Sequence, residues 1–528
     1  MADFSVASVF SDNSVLQRNR AVSIFGKGKD GLEVRAGLYD SDGKIISENS
    51  SFARNGKWKI ILPPLSAMNN LTLEISCAGD KKSFSNIAVG EVWLAGGQSN
   101  MEFELQNCTE GPAELSDVKS VDVRFYYTQK NAWMDEKFFE GERKSAWQTW
   151  DSEEKKAWSA VGYFFGKRLS EDLGVTVGII GCNWGGTSAS AWIPECDMEK
   201  DSDLKIYLEE QREAEKGKSV EEQCREYEEY EIFHAEWQKK CDALYKENPQ
   251  IEWSDVQKKI GECRWPGPKC CKNPYRPSGL YKCMISRVAP YTLRGFIYYQ
   301  GESDDHRPQS YGKLFRHLIE RWRKDWGDDS LPFVFVQLPE HRNRQDKDFK
   351  NWCIIREQQA WVSKTVKNTG MTVALGLGQY DDIHPKSKRT LGERLEKEAL
   401  YTAYGLVSRK MAEGPAFKNS IPRKNELVLY FDNAEDGFIY KEDFERLEHY
   451  KYLEQRQGNN VPENLTGFEV AGEDGQFFPA SFRFEDGGVI VLSSPDVSRP
   501  LHARYAWYNY GPVTVYGRNG LPLAPFSS

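Results

Sequence analysis

Val92-Trp93-Leu94-Ala95-Gly96-Gly97-Gln98-Ser99-Asn100 decides how this chain is read. Four unbroken apolar residues closed by two glycines describe a strand buried on both faces that ends in a sharp turn. The turn carries a serine hydroxyl. Apolar runs recur at 175–180, 296–299, 333–338 and 371–377, mostly bounded by Gly, Pro or Gln. Between them Leu314, Phe315, Leu318, Ile319 and Trp322 repeat at helical spacing, as do Leu391, Leu395, Ala399 and Leu400. Buried strands alternating with helices predict an α/β domain over 91–421, with a mostly parallel sheet covered on both faces. Ligands of such sheets bind outside the carboxyl ends of the strands. Ser99, Gly185, Gln300 and His384 each follow an expected strand, so one topology would gather them at one rim.

The flanks read differently. Residues 1–90 hold short alternating runs broken by Gly and Asp turns, such as 21–25, 32–39, 58–62 and 71–75, and predict a β-sandwich-like N-terminal domain. From 422 the pattern returns in 427–431 and 488–492, predicting a β-rich C-terminal domain to 528. Residues 200–272 interrupt the α/β pattern with charged helical sequence and are read as a helical insertion. Its aromatic stripe of Tyr227, Tyr230, Phe233 and Trp237 is read as a packing face. The insertion is placed beside the catalytic rim, where it shapes the pocket or mediates homo-oligomerisation.

A length of 528 residues exceeds what one core supports, in line with several domains. A net charge of −9 and the lack of a basic stripe argue against nucleic-acid binding. No run approaches the roughly 20 apolar residues that span a bilayer, so no membrane role is expected. The N-terminus beginning Met1-Ala2-Asp3 has no leader pattern. The expectation is a cytoplasmic protein as the chain stands, or a secreted one if a leader has been removed. Eleven cysteines, an odd number that includes the adjacent Cys270 and Cys271, do not suggest a disulfide framework. The spacing of Cys263, Cys270, Cys271 and Cys283 fits no familiar zinc pattern.

The chemistry is read from four segments. Ser99 is either a nucleophile or a helix-capping serine, and Gln98 and Asn100 beside it suggest an exposed polar site. His384 lies in Asp381-Asp382-Ile383-His384-Pro385 and is the candidate base. Asp381 is preferred as the carboxylate that orients the imidazole, provided the segment turns helically; Asp382 and a backbone carbonyl are the alternatives. Acyl transfer needs oxyanion donors, for which the Ser99 amide, Gly185, Gly186 and the side chain of Gln300 are candidates. Gln98, Trp184, Glu302 and Arg356 are candidate substrate contacts, Arg356 for the carboxylate of a sialic acid. No metal or organic cofactor is required by this chemistry.

Together these segments resemble the sialate O-acetylesterase family of the SGNH hydrolases. The resemblance is carried by Gly97-Gln98-Ser99-Asn100-Met101-Glu102, Trp184-Gly185-Gly186-Thr187, Tyr299-Gln300-Gly301-Glu302-Ser303 and Asp382-Ile383-His384-Pro385, with Val15-Leu16-Gln17-Arg18 and Gly520-Leu521-Pro522 at the ends. It implies an SGNH-like three-layer catalytic domain, Ser99 as nucleophile, His384 as base, and an oxyanion hole from Ser99, the 185–186 glycines and Gln300. The expected activity is removal of O-acetyl groups from an acetylated sugar or oligosaccharide, O-acetylated sialic acid first. The alternatives are an acetylxylan or other polysaccharide esterase and a non-catalytic carbohydrate-binding protein.

Overall fold

The computed structural model describes residues 4–117, 121–248, 251, 253–343, 346–461 and 465–528. Residues 1–3, with which the leaderless N-terminal reading begins, lie outside these. Among the described residues the largest sheet has ten strands. They are β1 (Val15–Gln17), β2 (Glu33–Tyr39), β3 (Ile45–Phe52), β4 (Met68–Cys77), β5 (Asp80–Gly97), β6 (Val123–Tyr127), β7 (Val177–Asn183), β8 (Gly295–Tyr299), β9 (Phe333–Gln337) and β10 (Thr369–Val373).

The sheet is mixed: it is parallel through the α/β segment and antiparallel from β3 through β2 to β4, and β5 is where the two meet. Its first half pairs antiparallel with β4, which continues through β2 to β3. Its second half is flanked by parallel β7 and β8, which lead to β6 on one side and to β9 and β10 on the other. Strand β5 therefore runs through residues 90 and 91 without a break. Its first residues, Asp80 to Asn86, are polar but for Phe84 and almost all exposed. The carboxyl half, Val92 to Ala95, is wholly buried, as a parallel strand covered on both sides must be.

Short β1 also pairs with β5, and it explains the early Val15-Leu16-Gln17-Arg18 segment. Gln17 Nε2 donates to Glu91 Oε2 (2.9 Å), Arg18 Nε donates to Glu91 Oε1 (2.6 Å), and Gln17 Oε1 accepts from the Val92 amide (2.8 Å). A carboxylate at the point where β5 changes partners is thus neutralised and fully engaged.

The helices that matter here are α1 (Ser99–Glu102), α2 (Ala160–Leu173), α3 (Val220–Glu247), α4 (Pro308–Trp326), α5 (Asn351–Thr365) and α6 (Arg389–Ala399). Trp93 meets Phe165 of α2 edge-on, while a Cβ on Gly96 would strike Trp322 of α4. Positions three apart in a strand face opposite ways, so α2 and α4 cover opposite faces of the sheet. Helix α6 packs on α2, and α5 on α4. The helical spacing read around Leu314 and Leu391 is realised in α4 and α6, whose Leu314, Phe315, Leu318, Ile319, Trp322, Leu391 and Leu395 are buried. The architecture is α/β, consistent with an SGNH-like core carrying smaller antiparallel sheets.

Those smaller sheets lie at both ends of the chain. Phe4–Val6, Val22–Gly28 and Lys57–Leu62 form one of three strands. After residue 415 two four-stranded sheets and a two-stranded one share a core that includes Leu427, Leu429, Phe468, Ile490, Leu492 and Tyr505.

Two compact units are distinguished: 1–128, 145–186 and 289–528 in the first, 129–144 and 187–288 in the second. The second takes in the whole stretch expected as an insertion at 200–272. Helix α3 dominates it, opened by a capping box in which Ser219 Oγ accepts from the Glu222 amide and Glu222 accepts from the Ser219 amide. Trp237 and Cys241 pack with Ile251 and Val256, with Phe233 alongside, so the lower aromatic stripe is a packing face. No helix among the described residues is long and apolar enough to cross a membrane.

Candidate active site

Three parallel strands end level with one another. Gly97 at the end of β5 pairs with Asn183 at the end of β7 and with Tyr299 at the end of β8. The residues that follow are therefore brought to one rim: Gln98 and Ser99, Trp184 and Gly185, and Gln300. Gly97 has φ +136°, and a Cβ there would lie 2.1 Å from the Tyr299 carbonyl oxygen. Only glycine lets the chain leave β5 at this angle against β8. The Gln98 amide then donates to that same carbonyl (3.1 Å) and the Trp184 amide donates to Gly97 O (3.1 Å). Ser99 opens the one-turn helix α1, so its N–H has no acceptor within the helix.

His384 reaches this rim from a loop after β10. Its Nε2 lies 2.8 Å from Ser99 Oγ, and both side chains are half-buried. A serine and a histidine 285 residues apart in sequence are in hydrogen-bonding contact. Burial is the largest influence on the imidazole and lowers its pKa; the Lys388 ammonium lowers it further, while Asp382 and Glu102 pull the other way. The ring is accordingly neutral at neutral pH, the form that can accept a proton.

The loop that carries Asp381 and Asp382 does not have the shape expected of it. The segment does not turn helically: Asp381 has φ +56° and its residue is exposed. The Asp382 charge acts on the His384 ring alongside that of Glu102, and Asp382 Oδ1 accepts the His384 backbone N–H (2.8 Å). Gln379 closes the same loop by accepting the Lys386 amide (2.9 Å).

The candidate oxyanion donors are partly engaged. The Gly185 amide donates to Glu102 Oε2 (2.5 Å). A Cβ on Gly185 would lie 3.2 Å from Ser99 Cβ, a tight contact that the bare backbone avoids. For the Gly185 amide to face an oxyanion, Glu102 must release it. Gln300 is fully buried: its Nε2 donates to Asp304 Oδ2 (2.6 Å), and its Oε1 accepts from the Tyr298 and Tyr311 hydroxyls at 3.3 and 3.2 Å. Its amide is committed beneath the rim. Gly186, at φ +74°, follows directly.

The candidate substrate contacts also sort themselves. Trp184 is half-buried at the rim. Gln98 is buried, and its Oε1 accepts the Ser303 amide (3.1 Å). Asn100 is buried as well, so the expected exposed polar site shrinks to Ser99 itself. Glu302 accepts from Asn100 Nδ2 at 2.7 Å and braces the turn from below. Arg356 is almost fully buried, 1% exposed. It lies on the buried face of α5, and its Nη2 donates to the carbonyls of Tyr508 (2.5 Å) and Ala506 (3.3 Å), so it has no route to a substrate carboxylate.

Two residues to which the motifs assign no role belong to this site. Lys388, 1% exposed, donates from Nζ to Asn100 Oδ1 (2.6 Å) and sits over the rings of Phe103 and Tyr299. Glu102 is the other. The i+4 spacing of Lys388 from His384 was the available signal, and in a basic loop sequence that signal is faint.

A family model described as "carbohydrate esterase, sialic acid-specific acetylesterase" matches residues 264–401, a span that holds Gln300, Glu302 and His384. The chain matches the sialate O-acetylesterase family of carbohydrate esterases. It is similar to the human sialate O-acetylesterase, 24% identical over 562 residues covering 99% of this chain and 92% of that protein. The mouse sialate O-acetylesterase is 24% identical over 462 residues, covering 80% of this chain and 77% of its own. Among solved structures, a carbohydrate acetylesterase from Xanthomonas citri superposes with a TM-score of 0.72 at 24% identity, covering 99% of both chains; that likeness shows the fold.

Proposed function

We propose that this protein is a serine esterase that removes O-acetyl groups from acetylated carbohydrate, with O-acetylated sialic acid as the first substrate to try. A carbohydrate esterase function is supported at the family level by the matches to sialate O-acetylesterases. The observation that carries the mechanism is the 2.8 Å contact between Ser99 Oγ and His384 Nε2 at the carboxyl rim of the sheet.

In this reading His384 Nε2 takes the Ser99 hydroxyl proton as Oγ attacks the acetyl carbonyl. The oxyanion is met by backbone amides, those of Ser99 and Gly186 first and that of Gly185 once Glu102 gives it up. His384 then hands its proton to the departing sugar oxygen, leaving an acetyl group on Ser99. Water attacks next, with His384 again as base, and acetate leaves. Asp382 supports the positive imidazole that each step creates. No residue of the second compact unit is needed for these steps.

The preference for sialic acid rests on the family matches, since Arg356 is buried. Acetylated xylan is the rival substrate within the same chemistry. A non-catalytic glycan-binding protein gives no reason for a serine and an imidazole to meet. The test is acetate release from a small acetyl ester by the native protein and by Ser99→Ala. A fall of roughly 10⁴-fold or more is expected for removal of a nucleophile; unchanged turnover in a folded variant rejects the reading. O-acetylated sialic acids and acetylated xylo-oligosaccharides, compared by kcat/KM, then rank the substrates.

A further inference from the structure

We propose that Asn100 is a positioning residue whose side-chain amide ties the His384 loop to the turn that carries Ser99, with Lys388 and Glu302 locking that amide in its pose. The inference rests on the reading of Ser99 and His384 as an acyl-transfer pair.

Asn100 follows the nucleophile in sequence, and Ile383 precedes the base. Asn100 Nδ2 donates to the Ile383 carbonyl (2.9 Å), a bond that spans 283 residues of sequence. It therefore clamps the two segments one residue from each reacting side chain. The same Nδ2 donates its other hydrogen to Glu302 Oε1 (2.7 Å), and Asn100 Oδ1 accepts from Lys388 Nζ (2.6 Å). Every hydrogen on the amide is used. A flipped amide would set its oxygen against the Ile383 carbonyl and the Glu302 carboxylate, and its NH₂ against an ammonium. The two charged neighbours thus dictate which way the amide points.

That arrangement is costly for a device that only fills space. Asn100 and Lys388 are each 1% exposed and Glu302 is 5% exposed. Burial pushes the Lys388 ammonium down and the Glu302 carboxyl up, and each is held back by the charge of the other. Apolar residues of the same volume would pack without desolvating two charges. What they could not do is orient a donor at the Ile383 carbonyl. The charged groups bearing on His384 itself are Lys388, Asp382 and Glu102, and those bearing on Lys388 are Glu302, Asp382 and Glu110 along with the Cys108 thiol.

The test uses the full chain and four variants: Ser99→Ala, Asn100→Asp, Asn100→Asp with Glu302→Gln, and Asn100→Ala. Turnover of a small acetyl ester gives kcat and KM, and thermal unfolding gives Tm. Asn100→Asp keeps an acceptor for Lys388 but turns a carboxylate oxygen toward both Glu302 and the Ile383 carbonyl. Adding Glu302→Gln supplies a donor to that oxygen and mends the repulsion, yet leaves the Ile383 carbonyl unmatched. The expected result is a kcat lower by about 30- to 100-fold in Asn100→Asp with KM within about threefold, the signature of a misplaced base. The double variant recovers part of the Tm lost in Asn100→Asp while its kcat stays at least about tenfold low. Asn100→Ala, which adds no charge, shows the same kcat loss and covers the case in which the charged variants fail to fold. A folded Asn100→Ala with native kcat, or a double variant that regains kcat along with Tm, overturns the proposal. Native turnover in Ser99→Ala overturns the acyl-transfer reading itself, and the proposal with it.

Discussion

The two turns that meet at the Ser99–His384 contact are built on opposite plans. The nucleophile turn is made by backbone. Strand β5 is held in register on both sides, the Gln98 and Trp184 amides bind the carbonyls of Tyr299 and Gly97, and Gly97 sets the angle. The base loop, after β10, is held mostly by side chains. Asn100 holds the Ile383 carbonyl, Asp382 the His384 amide and Gln379 the Lys386 amide, while Tyr380 stacks on His449 at 4.0 Å between centroids. Damage near the nucleophile should therefore cost the fold, and damage near the base should cost turnover.

The largest effect that would sharpen this contrast comes from Gly97→Ala. A Cβ 2.1 Å from the Tyr299 oxygen, at φ +136°, has nowhere to go because two strands fix that backbone. We expect a stability loss of about 3 kcal/mol or more, seen as a lowered Tm or loss of soluble protein. A stable, fully active variant would break the comparison on the nucleophile side.

Next comes the pair Asp382→Asn and Asp381→Asn. Loss of the Asp382 charge should lower kcat by about tenfold with little change in Tm, because it removes support for the imidazolium. It should also move the acid limb of the kcat/KM profile to lower pH, since Asp382 raises the His384 pKa. Asp381→Asn, on an exposed residue, should leave kcat within about twofold. The reverse order would return the orienting role to Asp381.

The pH profile of the native protein carries a smaller signal. His384 must be neutral to accept a proton, so kcat/KM falls as pH drops through its pKa. Burial and Lys388 lower that pKa, so the acid limb should have its midpoint below the ordinary imidazole value of 6.5. A midpoint above 6.5 would mean that the Asp382 and Glu102 charges outweigh both.

Much of the core was legible because its physics is local. Four apolar residues in a row, Val92 to Ala95, suit a strand covered on both faces, and Gly96-Gly97 announces the turn. What escaped was long-range. Strand β5 keeps an exposed, mostly polar start and a continuous buried remainder in one element, so the composition shift at 90/91 marks a change of partners within a strand. β6 was missed because Val123-Arg124-Phe125-Tyr126-Tyr127 contains an arginine, yet Arg124 is buried and its guanidinium Nη1 donates to the carbonyls of Asn13 and Asn86. At the site, Ser99 and His384 stood out by residue type and by their turns. Lys388 did not, because a lysine near the start of a helix reads as a solvated charge until a fold buries it. Arg356 misled for the converse reason: its place in a charged helix suggested a free guanidinium, but α5 turns that side chain inward.

The whole mechanism turns on Ser99 being the nucleophile that His384 activates. That role is tested most directly by treating the native protein, and separately His384→Ala, with a fluorophosphonate and locating the adduct by peptide mass mapping. One adduct is expected, on Ser99, formed rapidly in the native protein and at a rate lower by roughly 10³-fold or more in the variant. An adduct on another residue, or equal labelling rates with and without the imidazole, would contradict it.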